Sequence, residues 1–113
     1  MSLPNIGVGT KTRNREQNRA KLLPPYNVII ENDDFHSMEF VVEVLLKVLN
    51  CQVEKAVQFA LQAHNSGRAI IWTGPKEVAE LKHEQVTSFH EIRDPGGAKL
   101  GPVGCIIEPA PGG

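Results

Sequence analysis

The sequence predicts an α+β domain, a small three-stranded antiparallel sheet with three helices packed on one face, in the order β-α-α-β-α-β. Two observations predict this class. Short runs rich in β-branched residues alternate with longer segments in which apolar residues recur at helical spacing. In addition, a chain of 113 residues can bury one autonomous core but is too short for two.

Each element follows from a local pattern. The β-branched run at 28–30 predicts a strand, and the apolar run at 69–72 predicts another. Gly67 is expected to end the second helix because glycine tolerates the left-handed conformation, and Pro75 suits the first position of the third helix. The predicted elements are a strand at 26–32, helices at 38–49 and 53–64, a strand at 68–73, a helix from 75 to about 91 and a strand at 103–108. The second helical stripe places His64 on the inner face of its last turn.

The composition is that of an ordinary globular chain, with 41% hydrophobic and 22% charged residues. No apolar run approaches the roughly 18 residues that a membrane span requires, and no hydrophobic signal core is present at the N-terminus. A cytoplasmic protein without membrane contact is therefore expected. Cys51 and Cys105 form no motif, and they are interpreted as small buried hydrophobes.

Charge divides the chain into two parts. Residues 1–24 carry five basic side chains and one acidic one, a net of +4, whereas the remainder carries seven basic and twelve acidic ones, a net of −5. The first part lacks apolar periodicity, so it is predicted to be a flexible basic extension. Residues 25–109 are the predicted core domain, and 110–113 a disordered tail. The extension has no aromatic residue for base stacking, which favours a protein partner over nucleic acid.

The stretch NDDFHSME at 32–39 places an amide and two carboxylates between the first strand and the first helix. One interpretation is helix capping by Asp34, His36 or Ser37, with Glu39 in a capping box if His36 is the N-cap, or at the second helical position if Ser37 is the N-cap. The sequence leaves the identity of the N-cap open. Capping explains one polar group, however, and not three in a row.

Two further interpretations assign chemistry to these side chains. A metal site would use Asp33, Asp34, His36 and His64, whose residue types suit a mixed oxygen and nitrogen site but whose spacing matches no known ligand motif. The other interpretation is an enzyme in which Asp33 and His64 act as acid and base, but the sequence shows no nucleophile or oxyanion motif. The sequence supports both interpretations only weakly.

The remaining interpretation is a binding site for a protonated amine, called the amine site below. An Asn carbonyl, a carboxylate and a neutral His nitrogen are acceptors, and an ammonium group has three donors. Charge-assisted hydrogen bonds of this kind contribute about 1.5–3 kcal/mol each. Beside these acceptors lie apolar helix faces that carry Met38, Val41, Ala60 and Ala63. An amine site next to an apolar pocket indicates recognition of a free N-terminus with a bulky first side chain.

Four sequence blocks carry a resemblance to a known family. They are PPYNVIIENDDFHSMEFVVEVL, ALQAHNSGRAII, EVAELK and GCIIEPA, in this order within residues 24–110. Together they resemble the ClpS family, the bacterial and plastid adaptors that deliver N-degron substrates to a ClpA- or ClpC-type unfoldase. The resemblance implies a ClpS-like fold and an adaptor that is not an enzyme. Its partners would be N-degron proteins and the N-domain of an AAA+ unfoldase. We expect a monomer without cofactor or metal.

The resemblance also implies a role for individual residues. Asn32, Asp33 and His64 would bind the α-amino group of a first residue such as Phe, Tyr, Trp or Leu. The side-chain pocket that it implies is formed by Asp34, His36, Met38, Val41, Ala60, Ala63 and Val103. Glu77 and Lys82, expected on the exposed face of the third helix, would contact the unfoldase N-domain.

The chain departs from the family pattern around this pocket. The family often has Thr-Pro where this chain has His36-Ser37, a larger residue such as Met at Ala60, and a bulkier aliphatic such as Val at Ala63. If the backbone is unchanged, the missing methylenes predict a roomier pocket that takes large aromatic residues and discriminates less sharply. The loop before the last strand is also longer than usual. A competing hypothesis is an interaction module of the ribosomal-stalk type, which would not depend on a free N-terminus.

Overall fold

The computed structural model describes residues 23–33, 35–93 and 97–111. Within these ranges the elements, numbered in chain order, are β1 Tyr26–Glu31, α1 Met38–Leu49, α2 Val53–Ser66, β2 Arg68–Gly74, α3 Lys76–Thr87, β3 Ile92–Arg93, β4 Ala98–Lys99 and β5 Cys105–Pro109. The predicted order β-α-α-β-α-β is confirmed, with a short β3–β4 hairpin added between α3 and β5. Most of the predicted extension at 1–24 and the last two residues of the predicted tail lie outside the described residues.

The central strand of the main sheet is β1. It pairs antiparallel with β2 on one side and with β5 on the other, so that Ile30 lies opposite both Ala69 and Cys105. Residues 27–30 are all buried. Val28 and Ile30 belong to the core under the helices, whereas Asn27 and Ile29 alternate with them along the strand. The buried polar member, Asn27, accepts a hydrogen bond from the Thr73 hydroxyl at 2.6 Å.

The three helices cover one face of this sheet. Helix α3 contacts β1, β2 and β5, α2 contacts β1 and β2, and α1 packs against α2 and α3. The apolar stripe of α1 faces a common core, whereas that of α2 does so only in part, because Val53 is 56% exposed and Leu61 44% exposed. The buried members of that core are Val28, Ile30, Val44, Leu45, Val48, Ala56, Ala63, Ala69, Ile71, Ala79, Val86, Val103 and Cys105.

The helix ends near the NDD stretch are fixed by local hydrogen bonds. Ser37 is the N-cap of α1, because its hydroxyl accepts from the Phe40 N–H at 3.1 Å, which selects one of the three candidate caps. Helix α1 ends at Asn50 and α2 at Gly67, both in the left-handed conformation, with φ of 53° and 94° respectively. The predicted stop at Gly67 is confirmed, and it sets the last turn of α2 beside the end of β1.

Several boundaries differ from the predicted ones. Helix α3 ends at Thr87 rather than near residue 91, because the Thr87 and Ser88 hydroxyls bond back to carbonyls of the last turn. Pro75 is the N-cap of α3 rather than its first helical residue. The last strand begins at Cys105, which leaves Val103 in the preceding connection. In the described part of the chain, none of the helices is long and apolar enough to cross a membrane.

Candidate functional site

A pocket lies where the end of β1, the start of α1, the last turns of α2 and the connection to β5 meet. Its volume is about 50 Å³, and its lining residues are Ile30, Glu31, Asn32, Asp33, His36, Met38, Val41, Ala60, Ala63, His64 and Val103. Nine of the ten residues predicted for the amine site and the side-chain pocket thus surround one cavity. The tenth, Asp34, lies outside the described residues. The fold brings the predicted set together, while the role of each member remains a prediction.

Asp33 organises the polar end of the pocket. Its Oδ1 accepts hydrogen bonds from the backbone N–H groups of Phe35 at 2.9 Å and His36 at 2.8 Å. The Nδ1 of His36 lies 3.0 Å from Oδ1 and 2.9 Å from Oδ2. A carboxylate offers about four acceptor positions, so Oδ2 retains capacity for a ligand. Asp33 therefore both shapes the turn before α1 and presents a carboxylate oxygen to the pocket.

The environment of Asp33 favours its charged form. Burial alone would raise the pKa of this carboxyl group, but the hydrogen bonds from His36 and Phe35 and the charge of His36 outweigh it, and the pKa is lowered from 3.8. A carboxylate that stays ionised is a suitable partner for an ammonium group throughout the neutral range. The backbone N–H groups of Phe35 and His36 thus help to fix the turn before α1 and also lower the pKa of Asp33.

The lowered pKa of Asp33 predicts how stability depends on pH. Because the folded-state pKa is below the unfolded value of 3.8, ionised Asp33 stabilises the fold above pH 3.8, and this contribution is lost as the pH falls through the lower folded-state value. In urea unfolding, the stability difference between wild type and Asp33→Asn should be constant near neutral pH and shrink on acidification. Glu43→Gln, which removes an exposed carboxylate paired with Lys47, is the control. A difference that persists unchanged into acid would contradict the assigned charge effect.

Asn32 and His64 complete the polar end from opposite elements. The Asn32 N–H donates to the Gly67 carbonyl at 2.9 Å, which joins the end of β1 to the end of α2. Within the described ranges, neither the Asn32 amide nor the His64 ring takes part in a side-chain hydrogen bond. His64 lines the pocket, as its helical register predicted, although the residue as a whole is exposed. Both side chains therefore have acceptors available for a ligand.

The other end of the pocket is apolar. Ala60 and Ala63 from α2 are nearly fully buried, with 3% and 4% of their surface exposed, and Val103 closes the opposite side at 3%. Met38 and Val41 from the first turns of α1 are partly buried and complete the wall. An engineered cavity that holds benzene has a volume of about 150 Å³, roughly three times that of this pocket. A phenyl group is therefore accommodated only if lining side chains move or the ring remains partly in solvent.

Two lining residues were not among the predicted set. Ile30 and Glu31 are the last residues of β1, and they border the pocket because the strand ends directly at the NDD stretch. Their proximity to Asn32 in the sequence was the available signal. In contrast, the contact of Ser37 with Glu91 had no sequence signal. Ser37 donates to the Glu91 carboxylate from its N–H at 3.0 Å and from its hydroxyl at 2.8 Å.

The predicted unfoldase contact on α3 is only partly an exposed surface. Glu77, in the first turn, is exposed as expected. Lys82 is half-buried rather than fully exposed, and its contact with the unfoldase stays a prediction. Its Nζ donates to the Val48 carbonyl at 3.4 Å and lies 5.6 Å from the centre of the Trp72 ring. Helical geometry separates positions 77 and 82 by about 140°, so the two side chains do not share one face.

The metal interpretation receives no geometric support from the described ranges, where no group of three His, Cys, Asp or Glu side chains could hold an ion. His36 contacts Asp33, but His64 and Asp33 are not joined by any hydrogen bond there. The capping interpretation is correct in part, since Ser37 and Asp33 both bond to backbone N–H groups. These bonds leave the pocket itself unexplained.

Comparison with known proteins identifies the family. The family described as "ATP-dependent Clp protease adaptor protein ClpS" matches residues 21–96, about two thirds of the chain. The chain belongs to the ClpS family. This membership confirms the resemblance inferred from the four sequence blocks, and it favours an adaptor of the Clp protease over the ribosomal-stalk alternative.

Relatives named ATP-dependent Clp protease adapter protein ClpS extend the match. The relative from Pectobacterium carotovorum is 42% identical over 97 residues, which are 84% of this chain and 86% of that protein. The relative from Aromatoleum aromaticum is 38% identical over 93 residues, 82% of this chain and 85% of that protein. The solved structure of Agrobacterium tumefaciens ClpS2 bound to L-phenylalaninamide is similar with a TM-score of 0.65 at 26% identity, over 77% of this chain and 98% of that chain. The ClpS fold is thus shared over most of the chain.

Proposed function

We propose that this ClpS chain binds the free N-terminus of proteins that begin with Phe, Tyr, Trp or Leu and delivers them to a ClpA- or ClpC-type unfoldase. The observation that carries the proposal is one pocket with acceptor side chains at one end and an apolar wall at the other. The structural relative from A. tumefaciens supports it, because the L-phenylalaninamide bound to that protein has a free α-amine and a phenyl side chain.

The amine would be recognised by three residues. Asp33 would accept one N–H through its free Oδ2 capacity, while the Asn32 carbonyl and a neutral His64 nitrogen would accept the others. An acetylated N-terminus, or an internal residue, has an amide nitrogen in place of the ammonium group. Either would leave acceptors of the pocket unpaired and would therefore be rejected.

The expected affinity is moderate. Burial of a Phe or Leu side chain contributes about 1.5–3 kcal/mol, and each amine hydrogen bond about 1.5–3 kcal/mol. The loss of translational and side-chain freedom offsets part of this sum. We therefore expect a dissociation constant near the micromolar range, which corresponds to a binding free energy of about −8 kcal/mol. Such an affinity suits an adaptor that must release its cargo.

The proposal predicts a strict dependence on the free amine. In fluorescence anisotropy titrations, a peptide that begins with Phe should bind near the micromolar range, whereas its N-acetylated twin and a peptide that begins with Ala should bind at least about tenfold more weakly. Equal binding of all three peptides would overturn the proposed function. Trp and Leu peptides in the same series test the roomier pocket expected from Ala60 and Ala63, an expectation that fails if Trp and Phe bind far more weakly than Leu.

Delivery requires a second surface, which we place on α3 around Glu77. This residue is exposed and lies outside the pocket, so its replacement should not disturb peptide binding. Glu77→Lys reverses one charge, and we expect it to weaken retention on an immobilised unfoldase N-domain by about tenfold while the affinity for the Phe peptide stays the same. Glu54→Lys, a reversal at an exposed glutamate in the first turn of α2, is the matched control on another helix. Equal retention of wild type and Glu77→Lys would exclude this surface.

A further inference from the structure

The ring of His36 is held on three sides. Its Nδ1 contacts both oxygens of the Asp33 carboxylate, its Nε2 lies 2.7 Å from the Gly101 carbonyl oxygen, and its plane stacks on Phe40 with ring centres 5.3 Å apart. Only 5% of the side chain is exposed. These contacts together restrict the orientation of the ring.

These contacts join two sides of the pocket that are distant in the sequence. Asp33 belongs to the polar end, whereas Gly101 lies two residues before Val103, which forms part of the apolar wall. The His36 side chain therefore contacts both the Asp33 carboxylate, which is proposed to bind the amine, and the connection before β5, which is proposed to enclose the side chain of the peptide's first residue.

The neighbouring residue reinforces the same connection. Ser37 donates to Glu91 from both its N–H and its hydroxyl, and the Glu91 carbonyl accepts from the Leu100 N–H at 2.9 Å. Residues 36 and 37 thus hold both ends of the connection that contains the β3–β4 hairpin. A Thr-Pro pair at these positions would provide neither the imidazole ring nor the N–H of residue 37, because proline has no backbone donor.

The chemistry of the ring defines what the contact requires. Both partners, a carboxylate and a carbonyl, only accept hydrogen bonds, so each ring nitrogen must carry a proton to bond to its partner. The neutral ring makes one of these two bonds, and the doubly protonated ring makes both. The ring bonds to the Asp33 carboxylate, and so limits its rotation, when Nδ1 carries a proton, that is, in the doubly protonated ring and in the Nδ1-protonated tautomer.

We propose that His36 is a positioning residue for the recognised N-terminal residue: it fixes the Asp33 carboxylate for the amine and holds the Gly101–Val103 connection against the side-chain pocket. The inference rests on the proposed function. Its physical basis is preorganisation, since a carboxylate and a wall that are already in place lose less freedom when the peptide binds. His36 and Ser37 together then fix the position of the connection before β5.

The test compares His36→Ala and His36→Gln with a matched control, His90→Ala. The His90 Nδ1 also contacts a carbonyl of the same connection, that of Leu100 at 2.9 Å, but His90 does not line the pocket. We expect His36→Ala to weaken binding of the Phe peptide by about tenfold, the effect of one lost hydrogen bond to a charged group. His36→Gln keeps one donor and should recover part of the loss. His90→Ala should bind within about twofold of wild type.

Hydrogen exchange separates positioning from a loss of fold stability. In His36→Ala, amide exchange should increase at Leu100 and Val103 and remain unchanged in the β1–β2 pairing, and added Phe peptide should restore part of the protection. Wild-type binding by His36→Ala, or a uniform increase of exchange across β1 and β2, would overturn the inference alone. If the wild-type chain binds no free-amine peptide, the proposed function is overturned and the inference with it.

Discussion

Replacement of Asp33 by Ala is expected to weaken binding of a Phe-initiated peptide by about 100-fold, because a charge-assisted bond contributes about 1.5–3 kcal/mol and about 1.4 kcal/mol corresponds to tenfold. The change removes the carboxylate that lies at the polar end of the pocket. It also removes the acceptor for the N–H groups of Phe35 and His36, so the turn before α1 loses its support. Anisotropy titration with the Phe peptide measures the combined effect.

Two further variants separate the charge of Asp33 from its structural bonds. Asp33→Asn keeps an oxygen that can accept from the two backbone N–H groups but has no charge, so its loss of affinity reports the attraction to the ammonium group. Glu43→Gln removes an exposed carboxylate that does not line the pocket, and it should bind within about twofold of wild type. Wild-type affinity in Asp33→Asn would show that the charge takes no part in recognition.

The largest effect on stability is expected for Leu45→Ala. Leu45 lies on α1 with 0% of its surface exposed, within the core between the helices and the sheet. Removal of a buried leucine side chain costs about 2–5 kcal/mol, since both the transfer free energy and the contacts around the new cavity are lost. A domain of this size has a free energy of unfolding of about 5–15 kcal/mol, so the variant should lose a large share of it. Urea unfolding followed by circular dichroism measures the change.

The matched control for this variant is Leu81→Ala on α3. Leu81 undergoes the same chemical change but is 53% exposed. Its free energy of unfolding should therefore change by no more than about 0.5 kcal/mol. Similar losses for both variants would mean that burial in the described core does not determine the stability of the chain.

Much of the pocket was predictable from local patterns. The period of the apolar residues fixed which face of α2 turns inward, and with it the positions of Ala60, Ala63 and His64. The abrupt change from a β-branched strand to NDD marked the polar end. Lys82 was assigned to an exposed face, but its ammonium group lies over the Trp72 ring and donates to the Val48 carbonyl. Both contacts join different secondary-structure elements, so no local pattern indicates them.

The sequence by itself determined the order of the elements, the stop at Gly67 and the residues that can serve as acceptors, because these depend on contacts between near neighbours along the chain. The tertiary structure decided what those residues meet. It selected Ser37 as the cap of α1, paired two-residue strands too short to have a period, and placed Gly101 against His36 across 65 positions of sequence. Such contacts follow from how the connection to β5 crosses the helix ends. No local propensity encodes that path, since it results from the packing of the whole core.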